Sequence, residues 1–200
     1  MIEKGAIIGD GNFRVCYALK NSDLSIKINR KWVVKKIAGL KIPFPACIFA
    51  LLKFGTLNPN KKEYHIIQNL PAALKTYLPK HTEIKDGNLM QSRPKDYNGD
   101  YSSTVIKYGK IDNDIFWNHV HTIENIFIKY QFFPLDIFRG GGNVIIEKIS
   151  ETEWKPIIID IKRVGYRPFV DSLDFKLIFK SAQQKKFLQR MKDFKLKYKS

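Results

Sequence analysis

Residues 132–165 contain the side chains of this chain that are best suited to hold a metal ion. Asn143 follows three consecutive glycines and precedes an apolar run at 144–146, and a second apolar run at 157–159 ends on Asp160. Two short apolar runs joined by a polar turn predict a β-hairpin, with Asn143 at its entrance and Asp160 at its exit. Amide and carboxylate oxygens suit Mg²⁺, which keeps coordination positions for phosphates. The stretch therefore predicts a magnesium site at Asn143 and Asp160.

The same residue types also have a purely conformational use. Asn beside Gly is common in turns, and Asp after a strand is often a turn former or a helix cap. A motif this short matches by chance often enough that both interpretations stay open. The rest of the chain has to favour one of them.

A glycine turn near the N-terminus has the form of a loop that covers nucleotide phosphates. The sequence predicts strands at 6–8 and 15–19. Backbone N–H groups can approach a phosphate closely where no Cβ intervenes. The helix that follows the glycines of a Rossmann or P-loop motif is absent from the pattern, so the turn could equally belong to a plain hairpin. The turn consists of Gly9, Asp10, Gly11, Asn12 and Phe13.

Lys27 stands between two isoleucines in a predicted strand at 25–28. A buried ammonium group is costly unless it has a partner, so Lys27 needs a nearby carboxylate. Glu63 opens a segment at 63–70 whose apolar residues recur at helical spacing, and it is the candidate partner. A strand lysine paired with a helix glutamate is an arrangement that holds nucleotide phosphates.

Length and composition limit the class of protein. Two hundred residues, 44% of them apolar and 13% aromatic, fit one folded domain or two small lobes that share a cleft. Two cysteines give no disulfide framework and fit a reducing compartment. The first residues lack the apolar core of a signal peptide, and the longest apolar run, at 42–52, is too short to cross a bilayer. We therefore expect a cytoplasmic protein that is at most peripheral to the inner membrane.

The formal net charge of +16 is concentrated in two basic segments. Residues 28–62 contain eight Lys and Arg and no acid, and residues 175–200 contain nine against Asp193 alone. Such a surface predicts an anionic partner: a phosphorylated glycan, the inner face of a membrane, or nucleic acid. Nucleic acid ranks last, because no recognised binding motif is present. A helix predicted at 47–54 fits a solvent-facing surface helix better than an interfacial membrane contact, because prolines interrupt its pattern.

The remaining segments predict a mixture of strands and helices, hence an α+β fold. A hairpin should turn at Asp86-Gly87-Asn88, a hinge should follow at 97–104, and a long helix should cover 114–130. We interpret the four histidines as structural or solvent-facing. A basic C-terminal helix carries an apolar stripe of Phe187, Leu188, Met191, Phe194 and Tyr198.

In this order the features resemble the protein-kinase-like fold, and more closely the YrbL family of bacterial PhoP-regulatory-network proteins. The similarity spans nearly the whole chain. Its motifs are Gly9-x-Gly11 with Arg14-x-Cys16-Tyr17, Ile26-Lys27-Ile28, Lys62-Glu63, an aromatic-x-Gly99 with Ser102-x-Thr104, Asn143-Val144-Ile145 with Ile149-Ser150-Glu151, and Asp160.

The resemblance implies a single domain over 1–200 that binds ATP and Mg²⁺ and transfers phosphate to an acceptor. A β-rich N-terminal lobe would cover 1–98, and a mainly helical lobe would cover 99–200. The glycine turn at 9–13 would cover ATP, Lys27 and Glu63 would hold its phosphates, and Asn143 and Asp160 would bind Mg²⁺.

The sequence departs from the kinase pattern at the expected catalytic base. The position five residues before Asn143 is Phe138, whereas Asp136 stands seven before it. The glycines at 140–142 would form an insertion that restores the reach of Asp136, the candidate catalytic residue. Arg14 also replaces the third glycine of the phosphate loop. A phosphotransferase, a nucleotide-binding pseudokinase and a basic nucleic-acid-binding protein therefore all remain as alternatives.

Overall fold

The computed structural model describes residues 3–37, 40–161 and 179–200. As predicted, the protein is α+β, with a β-rich N-terminal portion and a mainly helical C-terminal portion. Its contacts divide the described chain into two compact units. The first contains the residues up to Gln68 together with Lys80–Ser92, and the second contains Asn69–Pro79 with residues 93–161 and 179–200. Within the described residues, the chain passes from one unit to the other after Gln68, after Pro79 and after Ser92.

The first unit is built on a five-stranded antiparallel sheet. In chain order, its elements are β1 (Lys4–Asp10), β2 (Arg14–Leu19), β3 (Leu24–Asn29), β4 (Trp32–Ile37), β5 (Leu40–Pro45), α1 (Ala46–Phe54) and α2 (Pro59–Gln68). The second unit's first helix, α3 (Ala72–Lys75), precedes β6 (Thr82–Lys85) and β7 (Asn88–Ser92), which return to the first unit. The sheet order is β1-β2-β3-β7-β6. The predicted hairpin turn at Asp86 and Gly87 joins β6 to β7 with positive φ at both residues.

Strands β4 and β5 form a separate two-stranded hairpin that the sequence analysis did not predict. Val34 pairs with Pro43 and Trp32 with Pro45. Two prolines in the second run argue against a central strand, but a two-stranded ribbon consists of edge strands, which tolerate proline. The predicted helix at 47–54 is confirmed as α1 and ends at Gly55, which adopts a left-handed conformation with φ of 66°.

Helix α2 packs against β3, β6 and β7. The side chain of Asn58 caps its N-terminus by accepting hydrogen bonds from the backbone N–H groups of Asn60 and Lys61, at 3.0 and 3.2 Å. The helix face that is buried contains two polar residues, Asn60 and Glu63, beside Ile67. These two polar side chains have to find partners inside the unit.

The second unit combines two longer helices with a three-stranded sheet. Its other elements are β8 (Ser103–Thr104), α4 (Val105–Tyr108), α5 (Asp114–Lys129), β9 (Val144–Lys148), β10 (Trp154–Ile158) and α6 (Lys180–Tyr198). The sheet order is β10-β9-β8, and both pairings are antiparallel. The predicted long helix is confirmed as α5, and it packs on β10.

Aromatic side chains fill the core of the second unit. Phe187 and Phe194 of α6 are buried, and Phe127 of α5 lies 5.6 Å from Phe187 between ring centroids. The C-terminal stripe predicted from the sequence is buried at Phe187, Met191, Phe194 and Tyr198, while Leu188 is half-buried. No helix within the described residues has both the length and the apolar character needed to span a membrane.

Candidate functional site

Lys27 and Glu63 form a buried ion pair in the first unit. Lys27 lies on β3 and Glu63 on the buried face of α2, and the Lys27 Nζ donates to the Glu63 Oε1 at 2.8 Å. The Glu63 side chain is 0% exposed. The sequence predicted this pairing, because an ammonium group on a buried strand requires a carboxylate. A buried pair is costly to form in a low-dielectric interior, so its presence is more typical of a functional site than of a stabilising device.

Arg14 and Asn60 complete the surroundings of this pair. The Arg14 Nη1 lies 2.5 Å from the Glu63 Oε2 and donates to the Asn60 Oδ1 at 3.0 Å. The contact with Glu63 is an ion pair without hydrogen-bond alignment, because no described group donates a hydrogen bond to Oε2. Asn60 in turn donates to the main-chain carbonyl of Lys27 at 2.8 Å. Two cations therefore converge on one carboxylate, and Asn60 ties β3 to α2.

The sequence marked Arg14 as part of a motif and as a replacement for a glycine, without a partner for its side chain, and did not mark Asn60 at all. Asn60 lies before the helical segment predicted at 63–70, but in α2 it stands three residues before Glu63 on the same face, and that spacing is the local signal that could have revealed it. The contact between Arg14 and Glu63 joins residues far apart in the chain, and nothing in the local pattern predicts it.

Cys16 lies opposite Lys27 in the pairing of β2 and β3. Burial raises the pKa of its thiol, although Lys27, a hydrogen bond with Ser25 and Arg14 each act to lower it. The thiol therefore stays protonated at neutral pH, and it lacks the thiolate character that nucleophilic cysteines need.

The glycine turn between β1 and β2 is held by main-chain and side-chain contacts. Gly11 N donates to the Arg14 carbonyl at 2.9 Å, and the Arg30 Nε donates to the Gly11 carbonyl at 3.0 Å. The Arg30 guanidinium also pairs with Asp10. A Cβ at Gly11 would lie 3.3 Å from the Arg14 carbonyl oxygen, so the tight turn favours glycine there. Within this turn, Asn12 is exposed.

The Phe13 side chain belongs to the core rather than to a nucleotide-covering surface. It is buried with Val33, Ala46, Ala50 and Phe54, and its ring centroid lies 4.9 Å from that of Phe54. Of the residues expected to cover ATP, Phe13 can therefore contribute only its main chain. A large aromatic side chain finds more apolar contact under α1 than at the tip of a solvent-exposed turn.

In the second unit, Asn143 and Asp160 lie at the same end of the predicted hairpin, which is confirmed as β9–β10. Ile159 N donates to the Asn143 carbonyl at 3.1 Å, one position beyond the paired residues Val144 and Ile158. Asp160 follows directly and is half-buried. The main chain therefore brings the amide and the carboxylate to one edge of the sheet.

The Asn143 side chain is oriented by Asp136. Its Nδ2 donates to the main-chain carbonyl of Asp136 at 3.0 Å. The other polar atom of the Asn143 side chain is the amide oxygen Oδ1, and an oxygen of this kind is a ligand for a hard cation. The described residues contain no group of three or more His, Cys, Asp or Glu side chains that could hold a metal ion. An Asn–Asp pair would thus need water or phosphate oxygens to complete an Mg²⁺ shell.

The glycine triplet lies in the turn between Asp136 and Asn143. Gly140 and Gly141 have φ values of 79° and 73°, which an L side chain adopts only with strain. A Cβ at Gly141 would lie 2.9 Å from the Tyr198 ring, and the Tyr198 hydroxyl donates to the Gly140 carbonyl at 2.9 Å. The C-terminal residue of α6 therefore packs directly on the glycine backbone.

Asp136 and Phe138 have opposite environments. The Phe138 ring is buried and lies 5.2 Å from that of Phe194, so the residue five positions before Asn143 belongs to the core. The Asp136 side chain is 25% exposed, and its Oδ1 lies 3.9 Å from the Arg190 Nη1. Of these two residues, Asp136 is the one that has both an acidic group and access to solvent.

The candidate site residues predicted from the sequence are thus divided between the units. The first unit contains the glycine turn with Lys27 and Glu63, and the second contains Asp136, Asn143 and Asp160. Comparison of the chain with models of protein families and with curated proteins found no match.

Proposed function

We propose that this protein binds ATP with Mg²⁺ and transfers phosphate to an acceptor, as its resemblance to protein-kinase-like proteins of the YrbL family implies. The observation that carries the proposal is the buried pair of Lys27 and Glu63. A lysine on the third strand of an antiparallel sheet, paired with a helix glutamate, holds the ATP phosphates in protein kinases. The glycine turn between the first two strands of the same sheet supports the proposal.

The second unit would supply the metal ligands and the base. Phosphoryl transfer depends mainly on positioning and on stabilisation of charge. The Asn143 amide oxygen and the Asp160 carboxylate would hold Mg²⁺, which neutralises charge on the phosphates when it is bound. Asp136 would accept the proton of the acceptor hydroxyl. Its partial exposure supports this role, and the burial of Phe138 removes the competing position.

We further propose that phosphate is transferred to a hydroxyl group of a glycan, a lipid-linked sugar or a protein, or to another anionic acceptor. The two basic segments at 28–62 and 175–200 support an anionic partner. On this account the protein works in the cytoplasm, at the inner face of the membrane.

Calorimetric titration of the full chain with ATP in the presence of Mg²⁺ tests the role of Lys27. Lys27→Arg keeps a cation beside Glu63 but replaces a compact ammonium group with a planar fork, so we expect ATP affinity to fall by about tenfold or more. Lys20→Arg is the matched control, because Lys20 is an exposed strand-end lysine that pairs with Glu3. Thermal unfolding of both variants shows whether the fold is intact. Equal ATP affinity in wild type and a folded Lys27→Arg would remove Lys27 from the site.

A further inference from the structure

Helix α1 presents an apolar face to solvent. The opposite face, with Ala46, Ala50 and Phe54, packs against the β4–β5 hairpin. Apart from Lys53, the sequence of α1 is apolar, and a helix that is apolar on nearly all sides is typically enclosed by protein or lies in a membrane. The exposed residues fall one turn apart on one side of the helix. Among the α1 side chains that the structure describes, those that are exposed are all apolar: Cys47, Ile48, Leu51 and Leu52.

The hairpin extends this apolar face. Val33 packs towards α1, and Phe44, directly opposite it in the pairing, packs against the same cluster. Side chains alternate along a strand, so Ile42 lies on the α1 side of β5 as well. Ile42 is 38% exposed. The same alternation puts Trp32 and Val34 on the opposite side of the hairpin.

Cationic residues flank the face at both ends of α1. Lys31 is exposed, and its carbonyl accepts a hydrogen bond from Ala46 N at the start of the helix, at 2.9 Å. At the helix end, the Lys62 Nζ donates to the Phe54 carbonyl. The segment at 28–62 contains eight Lys and Arg and no acid, so every charged residue along it is a cation.

We propose that α1 docks in the plane of a membrane that contains anionic lipids. Ile48, Leu51 and Leu52 would enter the boundary between headgroups and acyl chains, and the flanking lysines would lie at the level of the phosphates. Apolar burial and attraction to anionic lipid together determine the affinity of such interfacial helices. Lysine stems can follow the apolar surface while their ammonium groups stay in water. This docking does not depend on nucleotide binding.

Charge favours a lipid surface over a second copy of this chain. A symmetric dimer through α1 would place the acid-free segment of one copy against the same segment of the other. Two segments that contain no acid would then face each other, in a chain whose net charge is already +16. An anionic bilayer instead supplies both the apolar layer and the opposite charge. The sequence favoured a solvent-facing helix, but the absence of any charged side chain from the described exposed face indicates a partner.

Sedimentation of the full chain with vesicles of equal parts phosphatidylcholine and phosphatidylglycerol tests the apolar face. We expect Leu51→Gln to weaken vesicle binding by about tenfold, since a leucine side chain that becomes partly buried in lipid contributes binding free energy on that scale. Val34→Gln is the matched control, because Val34 is exposed apolar surface on the other side of the hairpin, and it should bind like wild type. An equal loss in both variants, or no loss in a folded Leu51→Gln, overturns the proposal.

A charge exchange tests the electrostatic part. Lys31→Glu should weaken binding by about tenfold or more, because each cation near the surface contributes a several-fold effect and the change reverses a charge. Lys192→Glu changes the net charge equally, but on the exposed side of α6, and should have a much smaller effect. Vesicles of pure phosphatidylcholine should bind wild type weakly. Equal effects of the two substitutions would indicate attraction by net charge alone and would overturn docking through α1.

A label on Cys47 distinguishes insertion from adsorption. Cys47 is exposed on the proposed face, so an environment-sensitive bimane attached there should shift to shorter wavelength on vesicle binding and be quenched by brominated lipids. Labelled Cys47→Ser protein reports any contribution from Cys16. An unshifted, unquenched label in the vesicle-bound protein contradicts the proposal.

Competition with RNA distinguishes a lipid surface from nucleic acid. If excess RNA displaced wild type from vesicles, and Leu51→Gln bound both RNA and vesicles like wild type, the surface would be assigned to nucleic acid instead.

Discussion

The side-chain amide of Asn143 donates a hydrogen bond to the main-chain carbonyl of Asp136, at 3.0 Å, across a turn that contains three glycines. The bond fixes the position of a candidate metal ligand relative to a candidate base. Because the acceptor is the main chain of Asp136, the carboxylate of that residue is not used to hold Asn143. Positioning of the metal ligand and proton transfer can therefore be separated by mutation.

Asp136→Asn should lower phosphate transfer or ATP hydrolysis by about 10²-fold or more, as expected for the loss of a general base. ATP binding should stay as in wild type, since the substitution keeps the carbonyl that accepts from Asn143. Steady-state turnover and calorimetric ATP binding, measured on the same preparations, check both parts. Equal turnover in wild type and variant would take Asp136 out of the mechanism. Wild type that binds ATP but shows no turnover would identify a pseudokinase.

Gly141→Ala should destabilise the protein by about 2–4 kcal/mol. The cost combines a left-handed backbone, about 1–2 kcal/mol for an L residue, with the displacement of the Tyr198 ring, 2.9 Å from the added methyl group. Chemical denaturation measures the difference in free energy of unfolding.

Gly142→Ala is the control for this prediction. Among the described residues, no atom lies within 4 Å of the Cβ it would add, and its φ is not in the left-handed region, so a change within about 0.5 kcal/mol is expected. If Gly141→Ala were as stable as Gly142→Ala, the close packing of the Tyr198 ring on Gly141 would be contradicted.

His119 should make stability depend on pH. Burial, and then the nearby charge of Lys155, lower the pKa of its imidazole below 6.5, and only Glu153 acts in the opposite direction. Its Nδ1 lies within hydrogen-bond distance, at 3.0 Å, of the Tyr77 hydroxyl, whose pKa is raised by burial. This contact agrees with the structural role predicted for the histidines.

The direction of the pH effect follows from that shift. Above pH 6.5 the imidazole is neutral in both the folded and the unfolded chain, and its contribution is fully present. As the pH falls through 6.5 towards the lower folded value, the unfolded chain takes up the proton first, so stability declines. His119→Gln should flatten the change in free energy of unfolding between about pH 8 and about pH 5. A decline of the same size in the variant would assign the effect to other groups.

Local patterns in the sequence predicted those parts of the fold and the site that depend on neighbouring residues. The spacing of apolar residues predicted α5 and the β9–β10 hairpin, and with the hairpin the proximity of Asn143 and Asp160. The pairing of Lys27 with Glu63 was also predictable, because the cost of burying a lone ammonium group requires an acid and Glu63 is the first acid after Lys27 in the chain.

The contacts that were missed join distant parts of the chain. Arg14 reaches Glu63, and Tyr198 covers Gly141, only because the strands and helices that carry them pack together. The burial of Phe13 likewise depends on α1, more than thirty residues further along. Hydrophobic periodicity reports which face of an element is buried, but not which element covers it.

The central claim, ATP binding through Mg²⁺, is tested most directly by titrating the full chain with ATP by calorimetry, once with Mg²⁺ and once with a chelator. We expect wild type to bind ATP with Mg²⁺ and to bind it at least about tenfold more weakly without the metal. Asp160→Asn, shown to be folded by its thermal unfolding, should bind ATP weakly and equally in both conditions. Absence of ATP binding by wild type, or binding by wild type that Mg²⁺ does not change, would contradict the account.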